Sequence, residues 1–419
     1  MSIKNYDNGM RAVFNEKDDA QITSVVVQIT GGSQSEKNNQ SGISEYVARL
    51  LMCGTKNYPT KEALLNYAKL NGIILKTSAS SENITISAVF PNEIISFALE
   101  LLSDIVFNYD FDEKIAENVK NGLLADVERL SENHAYTLEK SVNQNLFYRT
   151  GLANPKYGTA ITVERFDGLA ATEYWDKLVT PKNTVVSGTG NLDENEFFEL
   201  VDNYFASRLP EDNDYKKIKY TSEVEGYEGS LRTRNKRLNQ SRISIAFPTY
   251  SYKNPKKYLP LIVEPIILNK LRKALRLSST YFNTLDVKTT TYANNGKIVF
   301  DIAVDYDHAE EHLKNFVKAL KYIITEDAIG EQEFELEKNI FITNFIYKKE
   351  DSLEQSLVNA RELAICKRSF NNSTEKLKIE MLTSKDANKY LAETFDLQKM
   401  FVSYLGHPIE ITYDDLLNV

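Results

Sequence analysis

The amino-acid sequence predicts an α+β fold of two homologous domains, each a mostly antiparallel sheet packed against helices. Three observations carry this reading. β-branched runs of strand length alternate with stretches whose apolar residues recur at helical spacing. The order strand, helix, strand, helix, helix occurs twice, about 215 residues apart, as a duplicated unit would produce. A chain of 419 residues is also too long for one ordinary core and divides naturally into two.

Taken in order, residues 23–29 (TSVVVQI) form a β-branched strand followed by a polar turn at Gly31, Gly32 and Ser33. Ile43, Tyr46, Val47, Leu50 and Leu51 fall on one helical face and Gly54 stops the pattern, so a helix is predicted over 42–54. Residues 84–90 (ITISAVF) read as a second strand closed by Pro91, with long helices after it over 93–107 and 113–130. In the second half, 242–247 and 298–304 are strand-like, while 258–277, 309–324 and 331–347 carry helical period. The charged, weakly periodic stretch 210–236 is read as a linker plus the lead-in strand of a second domain. It separates a domain of residues 1–209 from one of residues 237–419.

Composition excludes several classes of function. Hydrophobic residues make up 42% and charged residues 26%, the balance of a soluble globular protein. The net charge of -9 and the lack of a basic stripe argue against nucleic acid as a partner. No apolar run is long enough for membrane insertion, and the first residues lack the apolar core of a secretory signal, so a cytoplasmic location is expected. Cys53 and Cys366 lie in apolar helical stretches and read as reduced thiols. No phosphate-binding loop, dinucleotide fingerprint, nucleophile elbow or paired-cysteine zinc motif is present.

A series of short motifs is more informative. Asn8-Gly9-Met10-Arg11 opens the chain, and Gly32-Ser33 with Glu36 follows the first strand. Residues 42–55 read GISEYVARLLMCGT, and Tyr157-Gly158-Thr159 comes later. Pro181-Lys182-Asn183 leads a strand and helix ending at Phe205, and Asn239-Gln240-Ser241 opens another strand. In order and spacing these resemble the insulinase/pitrilysin family of inverted zinc metallopeptidases, in its two-domain branch with the mitochondrial processing peptidase. The resemblance implies a duplicated α+β scaffold and a metal helix of pattern G-L-x-H-x-x-E-H-x-x-x-x-G-T. Its two histidines ligate zinc and its glutamate activates water.

This chain departs from that pattern where the chemistry would be. The ligand and base positions hold Glu45, Arg49 and Ala48. Arginine does not deprotonate to bind a cation, and alanine cannot act as a base. Glu45 and Arg49 instead form an i,i+4 ion pair, worth about 0.3–0.5 kcal/mol on an exposed helix. The resemblance implies a further carboxylate ligand on a later helix, and Asp126 falls at that place; the other reading is a solvated helix-face carboxylate. It also implies an arginine and, seven residues on, a tyrosine near the bound peptide. Arg272 fits the first, but Ser279 stands at the second with Tyr281 two residues further, so Arg272 and Tyr281 are the candidate peptide contacts. A surface arginine is the alternative for Arg272.

A second string, His308-Ala309-Glu310-Glu311-His312, literally reads H-x-x-E-H in a chain with four histidines. On a helix it would offer His308 and His312 as zinc ligands and Glu311 as base. Its context is different: it follows the second strand of the second half, Asp307 is the expected N-cap, and His308 then lies in the first turn near solvent. The apolar face is Ala309, Leu313, Phe316, Val317 and Leu320, and no third ligand stands at 387–389. His134 and His407 read as surface residues.

The expected function is a non-catalytic subunit of a zinc-peptidase-family heterodimer, binding peptide while an active homologous subunit cuts; a homodimer with a second copy is also open. No cofactor is expected. Zinc enters only under the alternative of an active metallopeptidase acting through His308 and His312. A structural subunit without any proteolytic partner is the third reading.

Overall fold

The computed structural model describes residues 1–210, 217–277, 283–325 and 329–419. Along the first half, β1 (Ser2–Asn5), β2 (Arg11–Glu16) and β3 (Ile22–Thr30) precede α1 (Ile43–Leu50) and α2 (Lys61–Leu70). Next come β4 (Ile74–Ala79), β5 (Asn83–Pro91), α3 (Ile95–Phe107), α4 (Glu113–Ser131) and α5 (His134–Leu146). The half closes with α6 (Ala160–Val163), α7 (Gly168–Leu178), β6 (Thr184–Gly190) and α8 (Glu194–Tyr204). The second half runs β7 (Ser230–Asn235), β8 (Gln240–Pro248), α9 (Leu259–Leu277), β9 (Thr284–Thr291), β10 (Gly296–Asp305), α10 (Ala309–Thr325) and α11 (Glu331–Tyr347). It ends with α12 (Ser352–Cys366), α13 (Asn372–Glu380), α14 (Ser384–Thr394), β11 (Phe401–Gly406) and α15 (Tyr413–Leu417).

Each half builds one sheet, and the two share a topology. The first has the order β1-β2-β6-β3-β5-β4 and the second β7-β11-β8-β10-β9. In each, one parallel pair (β2 with β6, β7 with β11) joins a run of antiparallel pairs. Apart from the extra β1, strand for strand and direction for direction, the sheets match, as a duplication requires.

Most predicted elements are present with small shifts. The strand expected over 84–90 continues through Pro91, which pairs with Ile22 at the strand end, where a missing N–H is tolerated. The helix expected over 42–54 is shorter: α1 ends at Leu50, and Met52 and Cys53 donate to the carbonyls of Arg49 and Leu50 in tighter turns. Neither cysteine is in a disulfide among the described residues, and both are half-buried. The lead-in strand expected within 210–236 is β7; residues 211–216 lie outside the described residues. Among the described residues no helix is long and apolar enough to cross a membrane.

The compact units do not follow a contiguous cut at 210–236. One comprises residues 1–129, 154–220 and 346–372, and the other 130–153, 221–345 and 373–419. Helix α12 of the second half therefore belongs to the first unit, and α5 of the first half to the second. Side-chain alternation along the central strands explains why each sheet needs that helix. In the first unit Val25, Val27 and Ile29 of β3 enter the main core with α1, α3, α7 and α8. Val26, on the opposite face, joins Val13 and Val185 under Ala360, Leu363 and Ala364 of α12. In the second unit Ile298, Phe300 and Ile302 of β10 face α9 and α10, while Val299, Ala246 and Phe401 meet Val142 and Leu146 of α5.

Leu363→Ala tests this arrangement. The side chain is fully buried, so its loss should cost about 2–5 kcal/mol in urea unfolding. Amide exchange should accelerate in β3 and β6 and stay unchanged in β8 and β10.

Candidate functional site

Helix α1 is held at its N-terminus by residues distant in sequence. Gly42 has φ +98, a left-handed conformation that suits glycine, and a Cβ there would lie 2.8 Å from the Gly158 backbone. The Glu36 carboxylate accepts the Gly42 N–H at 2.8 Å and the Ser44 N–H at 2.9 Å, satisfying two donors of the first turn. Burial pushes the Glu36 carboxyl up to about 7, against the pull of these backbone donors and of the Ser44 side chain. Tyr174 Oη lies 2.7 Å from Ser44 Oγ. Further along, the Tyr46 hydroxyl donates to the Ala116 carbonyl at 2.8 Å and ties α1 to α4. The predicted stripe of Ile43, Tyr46, Val47, Leu50 and Leu51 is fully buried, which turns Glu45 and Arg49 to the other face.

On that face the positions implied as metal ligands meet, but around a guanidinium. Arg49 Nε donates to Glu45 Oε1 at 3.0 Å, and its Nη1 lies 2.9 Å from Asp126 Oδ2 on α4. Arg129 Nη2 reaches the other Asp126 oxygen at 3.0 Å, and Lys156 Nζ lies 3.5 Å from Glu45 Oε2. The Tyr157 ring centroid is 5.9 Å from the Arg49 guanidinium carbon and 5.1 Å from Lys156 Nζ. Two carboxylates thus face three cations. The planar fork of arginine serves both acids with directed bonds, as a point charge could not. Burial opposes the Arg49 charge, but the bonds to Glu45 and Asp126 outweigh it and hold its pKa above the ordinary value. Bonds from Arg129 and then Arg49 hold Asp126 below its ordinary 3.8.

One reading is corrected here: Asp126 is not a merely solvated helix-face carboxylate, because the Tyr46–Ala116 bond brings α4 alongside α1. The expected Glu45–Arg49 pair forms, with the Glu45 side chain only 12% exposed, and it is the centre of a larger network. Ala48 is buried, and its carbonyl accepts from Thr77 Oγ1 of β4 at 2.7 Å. Zinc does not fit this set, since arginine offers no lone pair and the two carboxylates are already paired with Arg49, Arg129 and Lys156.

The other candidates belong to the second unit. His308 and His312 have ring centroids 5.9 Å apart. His308 and Glu311 are exposed and His312 half-buried. Asp305, rather than Asp307, caps the 3-10 turn that carries His308, and α10 begins at Ala309. Among the described residues no group of three or more histidine, cysteine or acidic side chains could hold a metal. His134 and His407 are half-buried rather than free on the surface, and the His407 ring stacks on Tyr306 at 4.5 Å. Arg272 Nη2 donates to the Leu285 carbonyl of β9 at 3.0 Å. Tyr281 and Ser279 lie outside the described residues.

Arg129, Lys156 and Tyr157 were not singled out as site residues from sequence. Tyr157 figured only in a Tyr-Gly motif. The signal lay in the adjoining Gly158, which has φ +71 and would put a Cβ 2.2 Å from the Ser41 carbonyl oxygen. That close approach brings 156–157 to the start of α1.

Fold and site together define a two-domain peptidase-like scaffold whose metal face is filled by an ion-pair network. Comparison with known proteins agrees. Residues 11–160 match the family described as Insulinase (Peptidase family M16), and residues 170–341 match the Peptidase M16 inactive domain. The chain belongs to peptidase family M16. It is 25% identical over 207 residues to the protein named "Uncharacterized zinc protease YmxG" of Bacillus subtilis, covering 49% of this chain and 50% of that protein. It is 24% identical to cytochrome b-c1 complex subunit 1 of Bos taurus, covering 49% and 42% of the two chains. It is 20% identical to the mitochondrial-processing peptidase subunit beta of Dictyostelium discoideum, covering 64% and 57%. The matched region thus spans about half the length of these curated relatives. The fold is shared with a protease from Helicobacter pylori (TM-score 0.85, 16% identity, 96% and 98% covered). It is shared also with a chain of complex III2 from Candida albicans (TM-score 0.80, 18% identity, 100% and 99% covered).

Two outcomes are expected. Arg49→Gln should lower stability near neutral pH by about 1–2 kcal/mol, the scale of half-exposed charged hydrogen bonds. Because Asp126 titrates below its unfolded value, its contribution is present above pH 3.8 and lost as pH falls below it. The gap between variant and wild type in urea midpoint should narrow there. Glu36 has the opposite sign: between its ordinary 4.5 and about 7 the native state keeps a proton that the unfolded chain has released. Its contribution therefore falls as pH rises through that window. Glu36→Gln should flatten this slope.

Proposed function

We propose that this chain is a non-catalytic subunit of an M16-family heterodimer, contributing chamber wall and peptide binding while a homologous subunit with an intact H-x-x-E-H helix cuts. The observation that carries this reading is the guanidinium of Arg49 seated between Glu45 and Asp126. It disables metal chemistry, while the buried seat of the helix is kept. The names of the relatives support a multi-subunit setting, since two of them are subunits of a peptidase and of a respiratory complex.

Peptide binding has a physical basis beside this helix. Strand β4 is the outermost strand of its sheet, and the Thr77–Ala48 bond joins it to α1. An extended peptide can add to such an edge through main-chain hydrogen bonds. Binding energy gathered there would orient the peptide for a partner's active site without this chain touching the bond that breaks.

The test uses the purified full chain, alone and with a homologous peptidase. Alone it should hold far less than one zinc per chain by elemental analysis and cleave no peptide; the pair should cleave faster than the homologue by itself. The triple variant Glu45→His, Ala48→Glu, Arg49→His should gain about one zinc per chain, because Asp126 already faces the site. Stoichiometric zinc and chelator-sensitive cleavage in the wild-type chain alone, both lost on changing His308 and His312 to alanine, would overturn the reading. Unchanged cleavage by the pair would favour a structural subunit, as the likeness to complex III proteins would suggest.

A further inference from the structure

Helix α9 buries Ile262, Val263, Ile266, Ile267, Leu271 and Leu275. Its exposed side carries Asn269, Arg272, Lys273 and Arg276, at the i, i+3, i+4, i+7 spacing of a single face. These four side chains line a recess of 440 Å³, within the range of about 300–1,000 Å³ typical of small-ligand sites. Its charge is not neutralised from within. Among the described residues Lys273 and Arg276 have no ion-pair partner. Arg272 is oriented by the Leu285 carbonyl, and Asp286 stands 4.0 Å from it with 76% of its side chain exposed, too open to the solvent to cancel it. Basic residues do complement the macrodipole at a helix C-terminus, but only within the last turn. That accounts for Arg276 and leaves Arg272 and Lys273 on the same face unexplained. In a chain of net charge -9, three cations gathered around one recess form a local field of the opposite sign.

We propose that this recess binds acidic side chains of an extended peptide. The spacing is suitable: Arg272 and Arg276 leave the helix about 6 Å apart along its axis, and alternate side chains of an extended strand lie about 7 Å apart on one face. Two carboxylates two residues apart can therefore engage both arginines, with Lys273 between them. The inference rests on the peptide-binding reading above and names the class of peptide.

The experiment measures fluorescence anisotropy of the full chain with a labelled extended peptide carrying Asp at alternate positions and with its Asn counterpart. The acidic peptide should bind about tenfold tighter at low salt, the effect of two exposed ion pairs of up to about 1 kcal/mol each. The advantage should shrink in high salt. It should fall to about threefold in Lys273→Gln/Arg276→Gln, which keeps Arg272 and its bond to Leu285 and so one of the two ion pairs, and whose folding is checked by circular dichroism. It should persist in the control Lys61→Gln/Lys69→Gln. Equal binding of both peptides overturns the acidic recess and leaves peptide binding standing. An acidic preference undiminished in the double variant also overturns it. Failure of both peptides to bind overturns this inference and the peptide-binding reading together. Binding of inorganic phosphate without acidic peptide marks a small-anion site and overturns it too.

Discussion

The Arg49 guanidinium stands between two carboxylates from different helices, and much of the site follows from it. A dication at this place would need neutral or anionic ligands around it. Arginine supplies the positive charge itself, covalently tethered, with one donor edge for Glu45 and another for Asp126. The electrostatic demand of the two acids is thus met without metal, and the geometry is retained because a guanidinium is directional where an ammonium is not. Arg129 and Lys156 occupy the remaining carboxylate oxygens, so no anionic face is left for a metal to exploit.

That network depends on the seat of α1. Gly42 and Gly158 come so close that neither tolerates a side chain, and Glu36 holds the first turn from within the core. Tyr46 fixes the distance to α4. These groups decide where Glu45, Arg49 and Asp126 stand.

The duplicated architecture adds a second constraint. The second face of β3 is buried through Ser24, Val26, Gln28 and Thr30, and Val299 and Ala303 give β10 buried positions on its second face, so each sheet needs cover on two sides. The helices of its own half cover one face. The other is covered by a helix from elsewhere in the chain, α12 in the first unit and α5 in the second. The two compact units are therefore interleaved in sequence, and neither would be complete if cut at 210–236.

Much of this was legible in the residues themselves. The β-branched runs and helical stripes located β3, β5, β8, β10 and most long helices, since periodicity reports which face of an element is buried. The chemistry of arginine and alanine by itself excludes zinc ligation at position 49 and base catalysis at position 48. Short or polar strands such as β1, β4 and β9 carry too little apolar alternation to be seen. Periodicity does not say what covers a buried face, so the exchange of α5 and α12 was hidden. Nor does it say which distant charges converge. That Asp126, Arg129 and Lys156 join Glu45 and Arg49 was decided only by tertiary structure, through a tyrosine hydroxyl and a glycine contact that bring separate segments within hydrogen-bond reach of one helix. Sequence alone determined that this helix lacks the two histidines and the glutamate that the family pattern implies; the fold decided which charges meet in their place.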